Sequence, residues 1–267
     1  MRRLISRKWL LATCLVLAAM AVMIRLGIWQ LDRLEARREF NARVQAQLDQ
    51  PELVLQGEAL SGPLEEMEYR AVLVSGEYDH SQEIALRNQY LNNQWGVHLV
   101  TPLRITGSDQ AVLVDRGWIP AADFESGDWS KFNEAGVVEV QGIIRTSRSQ
   151  ADFGSRGDPT PIPGQAAIKA WNFVNIPAIS MQTTGSILPV YIQQKPSVER
   201  SGFPIRTQPE LELSEGPHMG YALQWFTFAA ILGIGYLIYV RRQDASKKNS
   251  GTSGQPTVEI IETEQIS

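Results

Sequence analysis

The chain has 267 residues, 43% of them hydrophobic and 20% charged, with a formal net charge of −4. So slight an acidic balance excludes a partner bound by neutralising nucleic-acid phosphates. The one cysteine, Cys14, excludes disulfides and leaves everything beyond the N-terminal apolar run without a thiol nucleophile or thiolate metal site.

Arg2, Arg3, Arg7 and Lys8 form a basic lead (residues 1–8) before the apolar stretch Trp9–Ile24, which resumes after Arg25 through Leu26–Trp29. This predicts an uncleaved transmembrane helix over 9–30, with Arg25 snorkelling to the outer interface. Signal-peptide cleavage after Ala19-Met20-Ala21 would leave the rest of the hydrophobic run at the new N-terminus. Leu11-Ala12-Thr13-Cys14 resembles a lipoprotein site but comes too early in the run, and Thr13 is too bulky for one. Residues 31–48 interleave charged residues with sparse apolar ones and carry opposite charges at helical spacing, as with Glu39 and Arg43, so a solvated helical extension is expected up to Pro51.

Residues 49–217 change period. β-branched runs at 69–74, 83–87, 97–100, 111–114 and 137–140 predict strands, with Asn92-Asn93 and Gly107-Ser108-Asp109 as turns between neighbours. Ser147–Gln165 is a Gly-, Ser- and Pro-rich loop. Strands follow near 170–174 and 187–194, with a short helix over 177–184 between them. The expected fold is therefore a mainly antiparallel β domain, barrel or sandwich, between two transmembrane helices.

His218–Val240 has no Asp, Glu, Lys or Arg and spans roughly 34 Å as a helix, enough for a hydrocarbon core of about 30 Å. Arg241, Arg242, Lys247 and Lys248 follow, and residues 241–267 are expected to form a polar, disordered tail. Basic residues outside both spans put both termini in the cytoplasm and the β domain on the far side. With no room for a transit peptide before Trp9, a multi-pass protein of a bacterial inner membrane is expected, the lipid bilayer being its first partner.

Three histidines are present. His80 sits in a turn and is expected to be exposed; His98 lies in a strand and is expected to be a satisfied structural histidine. His218 differs, because helical spacing groups it with Tyr221, small Ala222 and Trp225 at the mouth of the second span. Tyr and Trp there form either an aromatic belt or, with Trp29 and Gln30 at the matching end of the first span, the walls of a site in which the imidazole binds haem iron. Asp115-Arg116-Gly117-Trp118 marks either a bulge with Trp118 in the core or a corner where Arg116 and Trp118 dock a partner. No hydrolase, phosphate-loop or zinc-protease signature appears, so no catalytic residue is assigned.

The chain resembles the surfeit-locus protein 1 family. The resemblance rests on Gly27-Ile28-Trp29-Gln30-Leu31-Asp32-Arg33, Tyr69-Arg70, the run Trp95–Leu103, the run Val112–Pro120, and His218–Phe226, in that order between two spans. Gly216-Pro217 stand where relatives often carry asparagines. The resemblance implies a non-enzymatic assembly factor for cytochrome c oxidase that helps insert haem a. His218 would be the transient iron ligand, and the oxidase catalytic subunit and the haem a synthesis machinery the partners. A scaffold binding no cofactor and a membrane-anchored envelope enzyme are the rival classes.

Overall fold

A computed structural model describes residues 7–149, 157–162, 164–196, 202–208 and 211–250. In chain order its elements are α1 (Arg7–Leu48), β1 (Leu53–Val54), β2 (Ala71–Tyr78), β3 (Ile84–Leu91), β4 (Gln94–Ile105), β5 (Gln110–Pro120), α2 (Ala121–Glu125), β6 (Val137–Thr146), β7 (Ala170–Trp171), α3 (Ile176–Ser180), β8 (Ser186–Gln194) and α4 (His218–Ser250). The chain divides into two compact units, one of Met1–Phe40 with Ser214–Ser267, the other of Asn41–Leu213.

The second unit is built on a closed, barrel-like sheet. Its strands run β1-β2-β6-β8-β5-β4-β3-β7, and an added pairing of β2 with β4 closes β2, β6, β8, β5 and β4 into a ring. Every pairing in the ring is antiparallel except β5 with β8. Five strands in this Greek-key arrangement are the plan of an OB-type barrel, which decides between barrel and sandwich. Closure requires a close strand approach at Gly76, which pairs with both Val138 and Ile105; a Cβ there would stand 2.2 Å from the carbonyl oxygen of Arg104.

The barrel interior is apolar: Val72, Val74, Val112, Val114, Val140, Ile144, Val190 and Ile192 are all buried, and Leu55, Leu60 and Leu64 pack onto the same cluster. Each such side chain contributes about 1.5–3 kcal/mol by leaving water. A second cluster gathers Val100, Leu113 and Trp171 with Ile176 and Ile179 of α3, and a third sets Val97, Leu99 and Ile119 against Phe132, Phe124 and Trp129. With layers on both sides, β5 is buried at every residue from Ala111 to Ile119.

The local expectations translate directly. Asn92 and Asn93 both take left-handed backbone (φ 49° and 62°), as a two-residue hairpin turn requires. The expected 177–184 helix is shorter, Ile176–Ser180, with Pro177 in its first turn and the Asn175 side chain accepting from the Ala178 N–H. The strand near 170–174 shrinks to Ala170–Trp171.

The first unit holds α1 up to Phe40, and α4. Both are long and apolar enough to cross a membrane, with mean hydropathies of 2.2 and 1.7 in their most apolar windows, only 6% and 11% of which are buried. Leu11, Leu15, Leu17, Leu223, Ile231 and Ile234 stand more than half exposed, so these are not core helices of a soluble fold, and they support membrane association. The covered positions of α1 here recur every three or four residues, at Trp9, Thr13, Val16, Met20, Met23, Gly27 and Gln30; α4 shows the same seam at Ala222, Phe226, Ala229, Gly233, Tyr236 and Val240. Along this antiparallel seam Trp9 meets Tyr239 edge-on at 5.9 Å, Thr13 and Tyr236 share a hydrogen bond of 2.6 Å, and the Gly27 backbone lies under the Phe226 ring. α4 continues to Ser250, which corrects the expected tail for residues 241–250: a helix is held by its backbone, so it need not stop where the apolar side chains do. Residues 251–267 lie outside those described.

Candidate functional site

α4 begins at His218, just after Gly216 in left-handed backbone (φ 69°) and Pro217, whose carbonyl accepts the Tyr221 N–H at 3.2 Å. Nδ1 of His218 lies 2.8 Å from Oε1 of Gln30. An amide oxygen only accepts, so this bond puts the imidazole proton on Nδ1 and leaves the lone pair on Nε2. Gly216 lies against that other edge of the ring. A Cβ there would stand 3.4 Å from Cδ2 and 3.6 Å from Nε2, ordinary van der Waals contact, so the lead-in backbone runs close beside this edge. Arg38 grips Glu215 through two hydrogen bonds of 2.8 and 2.9 Å, and Arg37 donates to the Ser214 carbonyl at 3.0 Å, tying the lead-in of α4 to α1.

The other expected members of the site do not converge on His218. Trp225 packs edge-on against Phe228 at 6.2 Å, Trp29 lies under the Arg33 guanidinium at 6.0 Å, and Tyr221 is half exposed. Ala222, the small residue grouped with them, is 1% exposed within the seam. Successive helical residues turn by about 100°, so Tyr221 and Ala222 cannot share a direction. Of the residues singled out there, the structure brings together His218 and Gln30.

In the barrel unit the Asp115–Trp118 motif is interior, and its docking reading is corrected. Arg116 is 0% and Trp118 2% exposed, because β5 is covered on both faces, so neither offers a surface to a partner. Nη1 of Arg116 donates to Glu83 Oε2 at 2.7 Å, Nη2 to the Phe132 carbonyl and to Glu134 Oε1 at 3.1 Å, and the guanidinium lies 4.8 Å over the Tyr78 ring. Arg206 donates to the same Glu134 oxygen at 2.9 Å, and Thr101 to Glu83. His80 is half-buried beside this network rather than exposed: the Glu134 N–H donates to its Nε2 at 3.1 Å. Burial, with the Arg116 charge added, lowers its pKa and keeps it neutral. The remaining motif residue, Asp115, accepts from His98 Nδ1 at 2.9 Å and from the Gly117 N–H at 3.1 Å. Burial works against the His98 charge, but the facing carboxylate prevails and its pKa is raised.

Sequence reasoning missed this network. Glu83, Arg116 and Glu134 belong to different segments, and the one available signal was charge inside apolar runs. Among the described residues no cluster of three His, Cys, Asp or Glu side chains is placed to hold a metal ion.

Fold and site together define a membrane-associated protein with two long apolar helices and a closed β barrel, the helices joined near one end by a histidine–glutamine pair. The chain belongs to the SURF1 family, whose model matches residues 17–230. It is similar to the SURF1-like protein of Monosiga brevicollis, 25% identical over 90% of this chain and 91% of that one. It is similar also to the SURF1-like protein of Caenorhabditis briggsae, 25% identical over 84% of this chain and 74% of the relative. Surfeit locus protein 1 of Mus musculus is 24% identical over 83% and 74%.

Proposed function

We propose that this protein is an assembly factor for cytochrome c oxidase that turns over no substrate, and that His218 carries haem a toward the oxidase catalytic subunit. Membership of the SURF1 family supports the first part. The observation that carries the second is the His218–Gln30 hydrogen bond, which places the imidazole proton on Nδ1 and leaves the Nε2 lone pair for a ligand at the start of an apolar helix. The residues fit the group: a haem iron already has four porphyrin nitrogens and takes one or two axial ligands from protein, so a lone histidine suffices where a metal cluster is lacking. When bound, haem a supplies an iron that accepts the Nε2 lone pair.

The chain's own residues do the rest. Gln30 fixes the ring and its tautomer, a carboxamide serving where metal-ligating histidines commonly use a carboxylate or carbonyl. The apolar face of α4 excludes competing water, and one protein ligand gives a hold loose enough for transfer. The basic flanks, Arg2 to Lys8 and Arg241 to Lys248, orient both termini to the cytoplasm of a bacterial inner membrane, with the barrel outside to meet the catalytic subunit and the haem a synthesis machinery.

The test is the full-length protein made in cells that synthesise haem a. It is expected to purify with a Soret band that His218→Ala abolishes, while the variant still inserts and its barrel still gives a β-type circular dichroism spectrum. Wild-type haem content in His218→Ala would end the ligand role.

A further inference from the structure

The Arg116 guanidinium faces no solvent, yet it ties together two segments of the barrel unit. Nη1 holds Glu83, at the end of the 80–83 turn; Nη2 holds the Phe132 carbonyl and Glu134, on the segment before β6. Buried ions are costly unless closely paired, and removing one partner strands the other. The network therefore fixes the separation of the two segments. Between them opens a cavity of about 420 Å³ whose lining includes His80, Glu83, Phe124, Trp129, Asn133 and Lys169.

The lining has a definite chemistry. Phe124 and Trp129 stack at 5.9 Å with 23° between their planes and give the cavity a flat apolar wall. Trp129 Nε1 donates to the Phe124 carbonyl at 3.4 Å, so the indole N–H is already used. His80 is engaged by the Glu134 N–H. The charge of Glu83 is matched by Arg116, and that of Glu134 by Arg116 and Arg206. Lys169 is different. Its ammonium donates to the carbonyls of Ser81 and Glu83 at 3.2 and 3.4 Å, and no carboxylate pairs with it among the described residues. At an exposed position it keeps a third N–H and a positive charge that no described carboxylate pairs. A cationic ligand would meet that charge with no free carboxylate to answer it, and a neutral one would leave it unused.

We infer that this cavity binds a carboxylate carried on a flat apolar group, in the form of a polypeptide chain that ends in an aromatic residue. The ring lies along Phe124 and Trp129, and the terminal carboxylate accepts from Lys169. Ser130 and Asn133 also line the cavity, where the ligand's own peptide group would meet polar residues. The inference uses residues of the barrel unit alone and does not rest on His218.

The test is calorimetric titration of the full-length protein in detergent, against detergent alone, with N-acetylphenylalanine as a mimic of such a terminus and its amide as the uncharged control. Saturable heat is expected for the acid, with affinity about tenfold or more above the amide, as suits a charge-assisted hydrogen bond. Lys169→Gln, at an exposed position, should bring the acid down to the amide, and Trp129→Leu should weaken both. Equal binding of acid and amide, wild-type affinity in Lys169→Gln, or no saturable heat from the acid would overturn the site. Tighter binding of 3-phenylpropionate than of N-acetylphenylalanine would overturn the polypeptide as its occupant.

Discussion

Nδ1 of His218 and Oε1 of Gln30 lie 2.8 Å apart although 188 positions separate them in the chain. With the Thr13–Tyr236 hydrogen bond further along, the pair is a polar contact on a mostly apolar seam, so it helps set helix register as well as imidazole tautomer. Gln30→Leu removes the acceptor and lets the ring turn. Under the proposed ligand role of His218, haem affinity should fall about 10- to 100-fold, the usual cost of losing the partner that orients a metal-binding histidine. Gln30→Glu, which keeps an acceptor oxygen, should retain more; Soret absorbance per protein measures both. Equal haem content in Gln30→Leu and wild type would show that the bond does not position the ligand.

The crossing of α1 and α4 depends on Gly27, where a Cβ would come within 2.7 Å of the Phe226 ring. Gly27→Val should push the helices apart and cost about 1–3 kcal/mol, the range for overpacking a filled interior. Phe226→Ala in the same chain should restore most of it. Thermal unfolding of the detergent-solubilised protein reads both effects. Gly233→Ala should be milder, because its near neighbour is the flexible end of Met20.

Arg116→Met leaves Glu83 buried beside an apolar chain and should destabilise the barrel by about 3–5 kcal/mol, the cost of breaking a buried ion pair from one side. Adding Glu83→Gln should recover part of the loss, since the stranded charge goes too. A double variant no more stable than Arg116→Met alone would mean the guanidinium acts chiefly through the Phe132 carbonyl and Glu134. Denaturant midpoints decide.

The His98–Asp115 pair gives the barrel a pH dependence of known sign. The fold raises the His98 pKa above its ordinary 6.5. Its protonated form therefore adds stability that is complete below that ordinary value and lost as pH rises through the higher folded one. The melting temperature of wild type relative to His98→Gln should thus be greatest near pH 5.5 and shrink by about pH 8. A difference that grows toward alkaline pH would contradict the pairing.

The sequence alone determined what depends on neighbours along the chain. The two membrane-length helices are legible because an uncharged apolar run is a local property, and the β3–β4 hairpin because Asn92-Asn93 tolerate the left-handed backbone that turn needs. Two of the expected site residues, Gln30 and His218, were legible as polar groups at matching ends of the two runs. The tertiary structure decided what depends on distant segments. Alternation on β5 could not say which residues face out, because with layers on both sides none do, and Arg116 and Trp118 went inside. Barrel closure through β2 and β4 required a strand approach possible only at a position as bare as Gly76. His98 met Asp115 because β4 and β5 pair with a register shift beside it, and Ala222 rather than Tyr221 entered the seam because 100° of helical rotation separates them. Contacts of this kind arise from chain closure and packing, which no window along the sequence contains.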